Sequence, residues 1–171
     1  MSLTAERVRE VLDYDPTTGV FMWKTRLGSE RSIASWNTRH AGRRAGRVDN
    51  HGYVQIGVAG KLYRAHRLAW LYVYGEWPKL IDHVDRNRQN NQISNLREAT
   101  LSQNHANSQP SKKNTSGVKG VTWFAERKKW RAYITIDRRK INLGLHETIE
   151  QAEAAVRAIS SRHYGDFLAD G

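Results

Sequence analysis

Asp82 and His83 stand side by side after an apolar Leu80-Ile81 step, and amides follow at Asn90, Asn91, Asn95 and Asn104. Hydrolysis of a phosphodiester needs a base to take a proton from water and a cation to hold charge on the phosphate oxygens. An imidazole supplies the first. Carboxylate and carboxamide oxygens are hard ligands that suit Mg²⁺ or Mn²⁺ rather than zinc. Taken singly, these residues say little: an Asp-His pair is more often a surface ion pair or a turn cap, and Asn runs usually mark turns. The spacing lifts the set, with 12 residues from His83 to Asn95 and nine from Asn95 to Asn104.

Several elements must position these groups. Residues 2–13 read as a short helix with Ser2 or Thr4 as N-cap and Val8, Val11 and Leu12 on one face. A turn at Asp15-Pro16-Thr17-Thr18-Gly19 leads into a strand over 20–23. Residues 24–48 read as a basic, irregular segment, with seven Lys/Arg against the single acid Glu30, and as a candidate phosphate-gripping arm. A strand over 53–58, a turn at Ala59-Gly60 and a strand over 61–64 make a hairpin. A largely apolar helix over 65–74 follows, stopped by Gly75 and Pro78. Trp70, Tyr72, Tyr74 and Trp77 read as core and interface aromatics of this helix and its exit.

Residues 109–117 lack apolar periodicity and read as a linker between a domain over 1–108 and another over 118–171. Beyond the linker, strands are predicted over 118–123, 129–136 and 140–144. A helix over 148–164 has a capping box at Thr148 and Gln151 and a buried stripe at Ala152, Ala155, Val156 and Ile159. Three strands covered by one helix can bury one sheet face.

Charge names the partner class. The 171 residues carry 28 Lys/Arg against 17 Asp/Glu, a net +11, which concentrates polyanions around the chain. Residues 112–140 alone hold ten Lys/Arg and two acids, interleaved with aromatics. On a strand, Lys129, Arg131 and Tyr133 share one face and Trp130, Ala132, Ile134 and Ile136 the other, so a cationic face can lie on nucleic acid while the apolar face packs. The absence of cysteine excludes disulfides, zinc ribbons and thiol catalysis. No apolar run approaches the roughly 20 residues of a membrane span, and the N-terminus lacks a signal-peptide pattern, so a cytoplasmic protein of phage or bacterial host is expected.

The run Tyr63-Arg64-Ala65-His66-Arg67-Leu68-Ala69-Trp70, Gly75-Glu76-Trp77-Pro78, Asp82-His83, Asn91 and Asn95-Leu96-Arg97 resembles phage-type HNH endonucleases of the homing class. The likeness reaches back to Leu12-Asp13-Tyr14-Asp15-Pro16 and Gly19-Val20-Phe21-Met22-Trp23. It implies an α+β fold with a ββα-metal finger: strands over 80–84 and 95–99 and a helix over 102–108. By the same resemblance Asp82 and Asn104 bind one divalent ion, Mg²⁺ or Mn²⁺, His83 is the general base, and Asn95 braces the loop between the strands. The products implied are a 5′-phosphate and a 3′-hydroxyl. Asn104 stands where many family members have His. His105 is the rival for that place, but lies about 100° away around a helix. A further ligand found in some branches falls on Ser108, a poor one. His66 is expected to pack against the finger, and Arg67 is a candidate phosphate contact.

The C-terminal order Ser116-Gly117-Val118-Lys119-Gly120-Val121, Lys129-Trp130-Arg131-Ala132-Tyr133-Ile134, Ile141-Asn142-Leu143-Gly144, Glu150-Gln151-Ala152-Glu153-Ala154-Ala155 and His163-Tyr164-Gly165-Asp166-Phe167 resembles the Apetala-two or ethylene-response-factor DNA-binding domain. That family lays a three-stranded antiparallel sheet in the major groove. The DNA-contact candidates by position are Lys119, Trp123, Arg127, Lys129, Arg131 and Arg138. The combined expectation is a monomeric, metal-dependent endonuclease acting on double-stranded DNA, with no membrane and no small-molecule substrate as partner. One finger with one metal should nick one strand. A non-catalytic DNA-binding regulator is the alternative, and an RNA-binding protein explains the charge but not the spacings.

Overall fold

A computed structural model of the chain describes residues 3–167. Two compact units emerge, Met1–Glu98 and Ala99–Gly171. Each is a small α+β assembly with antiparallel sheets.

In the first unit, helix α1 (Ala5–Val11) starts where the Thr4 hydroxyl accepts the Arg7 amide at 3.3 Å. Ser2 lies outside the described residues. Leu12, expected in the helix, instead opens strand β1 (Leu12–Asp15), which pairs with β2 (Val20–Trp23). The Asp15 carboxylate closes the intervening turn by accepting hydrogen bonds from the Thr17 and Thr18 hydroxyls, and these hold its pKa down at about 2.

The segment 24–48 corrects the sequence expectation of irregular chain. Residues Arg31–His40 form helix α2, which has no buried residue. Side-chain clips hold it together with a narrow half-buried face of Ile33 and Trp36, the latter edge-on to Trp23 at 5.5 Å. The Asn37 amide exchanges two hydrogen bonds of 2.9 Å with the Arg26 backbone, and the Arg26 guanidinium lies 3.6 Å from the Trp36 ring centroid.

A three-stranded sheet in the order β3 (Arg47–Val48), β4 (Val54–Val58), β5 (Lys61–Arg64) follows. Val54, Ile56 and Val58 point inward, so Gln55 faces outward by the pleat. Helix α3 (Ala65–Tyr74) buries Leu68, Ala69 and Leu71 and ends at Gly75 in the left-handed region (φ 81°). The core joins α1, β1, β2, β4 and α3 through Val8, Leu12, Phe21, Ile56, Leu68 and Leu71. Trp70, Tyr72 and Trp77 pack against it, whereas Tyr74 is exposed. Strands β6 (Ile81–His83) and β7 (Leu96–Glu98) pair antiparallel, with Asp82 opposite Arg97 and His83 opposite Leu96.

The second unit opens with helix α4 (Leu101–Asn107), capped by a Thr100–Gln103 capping box. Sequence reading expects the domain division after residue 108, yet contacts group 99–108 with the C-terminal part. The causes are concrete. Ser102 shares a 3.0 Å hydrogen bond with the Tyr164 hydroxyl, and the Lys119 ammonium binds the carbonyls of His105 and Ser108. Nor is 109–117 featureless: the Asn114 and Ser116 side chains hydrogen-bond the backbone of Val118 and Val121.

Strands β8 (Val121–Phe124), β9 (Lys129–Ile136) and β10 (Arg139–His146) form an antiparallel sheet in the order β10-β9-β8. Helix α5 (Ile149–Tyr164) has Thr148 as N-cap. The Gln151 side chain reaches back to the Glu147 amide, one residue short of the box expected from sequence. The core beneath is small: Val121, Ala132 and Ala152, with Val118, Trp130, Leu143, Ala155 and Val156 around them. Gly120 (φ 81°) is required there, because a Cβ would lie 2.3 Å from the Tyr133 carbonyl oxygen.

Candidate active site

All three residues of β6 are buried, which is costly for Asp82 and His83 unless each has partners. Asp82 is met across the ladder by Arg97, whose Nε and Nη2 donate to its Oδ2 at 3.0 and 2.9 Å. His83 engages a different group. Its Nε2 lies 3.4 Å from Asn91 Oδ1, and its ring meets His66 edge-on at 4.9 Å and Tyr53 at 6.1 Å. The Asn91 amide nitrogen donates to the Gln89 carbonyl at 3.1 Å, so its oxygen faces the imidazole and can only accept. That arrangement puts the proton on Nε2 and the lone pair on Nδ1. Burial holds the His83 pKa below the ordinary imidazole value, outweighing the Asn91 hydrogen bond and the charges of Asp85 and Asp82. The ring is therefore neutral at neutral pH, the form that can take a proton.

The loop between β6 and β7 is tied by Asn95 and Asp85. Asn95 Oδ1 accepts the Asp85 amide at 3.0 Å, and its Nδ2 donates to Asp85 Oδ1 at 2.9 Å and to the Asn90 carbonyl at 2.8 Å. Asp85 also accepts from the Asn87 amide at 2.8 Å and the Asn90 side chain at 2.7 Å. Partial burial works against its charge, but these hydrogen bonds win and keep its pKa below the usual carboxylate range.

The β1–β2 turn braces the far side of the loop. The Tyr14 hydroxyl, its pKa raised by burial, donates to the Asn91 carbonyl at 2.7 Å, and the Ile93 amide donates to the Pro16 carbonyl at 3.1 Å. Gly19 (φ 71°) sits so close that a Cβ would fall 2.4 Å from the Asn91 carbonyl carbon and the Gln92 nitrogen.

His66 is buried against His83, and its Nδ1 has no hydrogen-bond partner among the described residues. Burial, with the neighbouring charges of His83, Arg64 and Arg67, lowers its pKa to about 3. Arg67 is engaged with protein: it donates to the Pro78 carbonyl at 2.8 Å and lies 5.6 Å from the Trp77 ring centroid. Asn104 is half-buried on α4 in the second unit, beside an exposed His105. Among the described residues no cluster of three His, Cys, Asp or Glu side chains could hold a metal ion.

The basic candidates of the second unit divide. Lys119 is half-buried and spends its ammonium on the C-terminal end of α4, including Ser108 Oγ at 2.8 Å, and burial lowers its pKa. Lys129 pairs with Glu147 at 2.7 Å. Trp123 is exposed and packs edge-on against Trp130 at 5.0 Å. Arg131 stacks 3.8 Å from the Phe124 ring centroid, and Lys140 lies 3.7 Å from that of Tyr133. Arg127, at the end of a short 3-10 helix, and Arg138, in the β9–β10 turn, are exposed. Sequence reasoning gives no role to Tyr53, Asp85, Asn91 or Arg97. Arg97 carries a signal, since it follows Asn95 by two in the strand facing Asp82. Tyr53 carries none, being an ordinary strand former.

Comparison with known proteins follows the same segment. Residues 63–106 match the family model described as HNH endonuclease. Protein 3.8 of Escherichia phage T7 is 37% identical over 92 residues, spanning 53% of this chain and 76% of that protein. The chain belongs to the family of that phage protein and carries an HNH endonuclease segment. No solved structure matches it. The family match ends at residue 106 and assigns nothing to the sheet and helix beyond. No helix among the described residues is long and apolar enough to cross a membrane.

Proposed function

We propose that the chain is a divalent-metal-dependent HNH endonuclease that hydrolyses phosphodiester bonds in double-stranded DNA, nicking one strand per finger, as a homing-type or related phage enzyme. The observation that carries the reading is His83: a buried, neutral imidazole oriented by Asn91, next in sequence to a buried Asp82, inside the HNH-matching segment. His83 takes the proton of the attacking water on Nδ1, while the Asn91 oxygen holds Nε2–H and steadies the imidazolium that forms. Arg97 keeps the Asp82 carboxylate oriented through its two hydrogen bonds to Oδ2.

The donors in this reading are the Asp82 carboxylate and the Asn104 carboxamide, each a hard oxygen that suits Mg²⁺ or Mn²⁺ better than a soft metal. A bound divalent ion would neutralise the charge that builds on the phosphate. Asn95 is the brace that sets the loop bearing Asn91. The ββα order along the chain, β6, β7, then α4, supports reading this segment as a metal finger.

The C-terminal sheet is the proposed affinity module, of Apetala-two type, consistent with three antiparallel strands backed by one helix and with cations lying on aromatics at Phe124 and Tyr133. On this reading Arg131, Arg127, Arg138 and Trp123 are the contacts best placed for DNA. Lys119 and Lys129 are already engaged, and Arg67 shapes the approach to β6.

The test is plasmid nicking by the purified protein with Mg²⁺ or Mn²⁺, with and without chelator. His83→Ala should abolish cutting and leave DNA binding near the wild-type level. A mutant that cuts as fast as wild type would remove His83 from the mechanism.

A further inference from the structure

We infer that the outer face of the β3-β4-β5 sheet, together with Arg88, is a cradle for the phosphate backbone of the strand to be cut, a site distinct from the C-terminal module. The inference rests on the nuclease reading above and locates its substrate. Arg47, Gln55 and Arg64 stand opposite one another in register across the three strands, so their side chains form one row on the face that the core does not use. Arg47 and Arg64 are exposed, and the row lines a shallow cavity of about 570 Å³.

Arg64 and Arg88 both lie on the Tyr53 ring, at 4.1 and 4.8 Å from its centroid, and Arg88 donates to the His51 carbonyl at 2.8 Å. Tyr53 in turn is 6.1 Å, ring to ring, from His83. A half-buried tyrosine therefore fixes two guanidinium groups beside the proposed base.

One carboxylate shares the cavity, and it is already committed. Asp49 accepts the His51 and Tyr53 amides at 2.9 Å each and the Gln55 amide at 2.9 Å. Two arginines line the cavity against this one acid, and Arg88 adds a third guanidinium on the Tyr53 ring, so the face is cationic. The row runs across an open sheet rather than closing round a point, which suits a chain of phosphates better than a single small anion. Arginine is the residue that grips such oxygens in bidentate fashion. A phosphodiester backbone matches both that geometry and the neighbouring imidazole.

The test is anisotropy of a fluorescein-labelled random-sequence duplex, titrated with the full-length protein in chelator across a range of KCl concentrations. Arg47→Gln, Arg64→Gln and Arg88→Gln should each flatten the log affinity against log salt slope by about 0.9, the yield of one lost phosphate contact, and should weaken binding most at low salt. Lys61→Gln, on the same sheet at its hairpin end, should leave the slope unchanged. The triple arginine variant, checked for an unchanged circular dichroism spectrum, should lose the three increments together, and Arg64→Lys should keep its own. An unchanged slope in the triple variant, or an equal loss with Lys61→Gln, overturns the cradle even if the wild type cuts DNA. A slope loss confined to the arginines supports the cradle even if the wild type never cuts, in which case only the nuclease reading fails.

Discussion

Replacing Asn95 with alanine removes three hydrogen bonds at one stroke: those with the Asp85 amide, the Asp85 carboxylate and the Asn90 carbonyl, of 3.0, 2.9 and 2.8 Å. Each such bond contributes about 1 kcal/mol net, and a charged acceptor somewhat more, so the loss should come to about 3 kcal/mol. Water can reach the exposed side of the loop and recover part of it, but Asn95 itself is buried, so its place cannot be refilled without rearrangement. At about 2–4 °C per kcal/mol for a chain of this size, the melting midpoint should fall on the order of 6–12 °C. Asn95→Asp should be worse, because it sets a second carboxylate against Asp85 where an amide now donates. The nicking rate should fall with both variants, since the loop that carries Asn91 to His83 is no longer tied. Differential scanning calorimetry and plasmid nicking read the two effects. A double-mutant cycle with Asp85→Ala isolates the coupling. Should Asn95→Ala melt within about 1 °C of wild type, well under the shift its bonds require, the brace would carry no energy and the loop must be held otherwise.

Gly19→Ala should destabilise the first unit by about 3 kcal/mol, from left-handed strain plus a Cβ forced against the Asn91–Gln92 backbone, and should slow nicking through the displaced loop; a melting curve like that of wild type would refute the close approach. His66 has a folded pKa of about 3, below its unfolded value, so its burial as a neutral ring favours folding fully above pH 6.5. That contribution should be lost as pH falls from 6.5 toward 3, at up to about 1.4 kcal/mol per unit, and His66→Phe should flatten the melting temperature against pH over that window. Lys119→Met should cost about 1 kcal/mol by uncapping the C-terminal end of α4, where a cation also opposes the helix dipole. Hydrogen exchange should then quicken in 101–107 before it does in β9.

Local chemistry made much of the chain legible. The strand over 20–23, the hairpin turning at Ala59-Gly60, the helix over 65–74 and the strand over 129–136 follow from alternation, turn residues and a Gly stop, which act within a few residues of one another. Helix α2 escaped because its apolar face is only Ile33 and Trp36, and clips such as Asn37 to Arg26 that help to hold it join it to residues outside the helix. The boundary between units escaped because it is decided by Tyr164 and Lys119, far along the chain from the residues they hold.

The candidate site divides the same way. Spacing, read with the resemblance to HNH endonucleases, singled out Asp82, His83, Asn95 and Asn104. Sequence could not show that Arg97 would meet Asp82, that Asn91 would orient His83, or that Tyr53 would gather Arg64 and Arg88 beside it. Those pairings depend on strand register and on the closure of the β1–β2 turn against the loop. Register and closure are set by burial over the whole unit, a property of the folded chain and not of any short stretch of it.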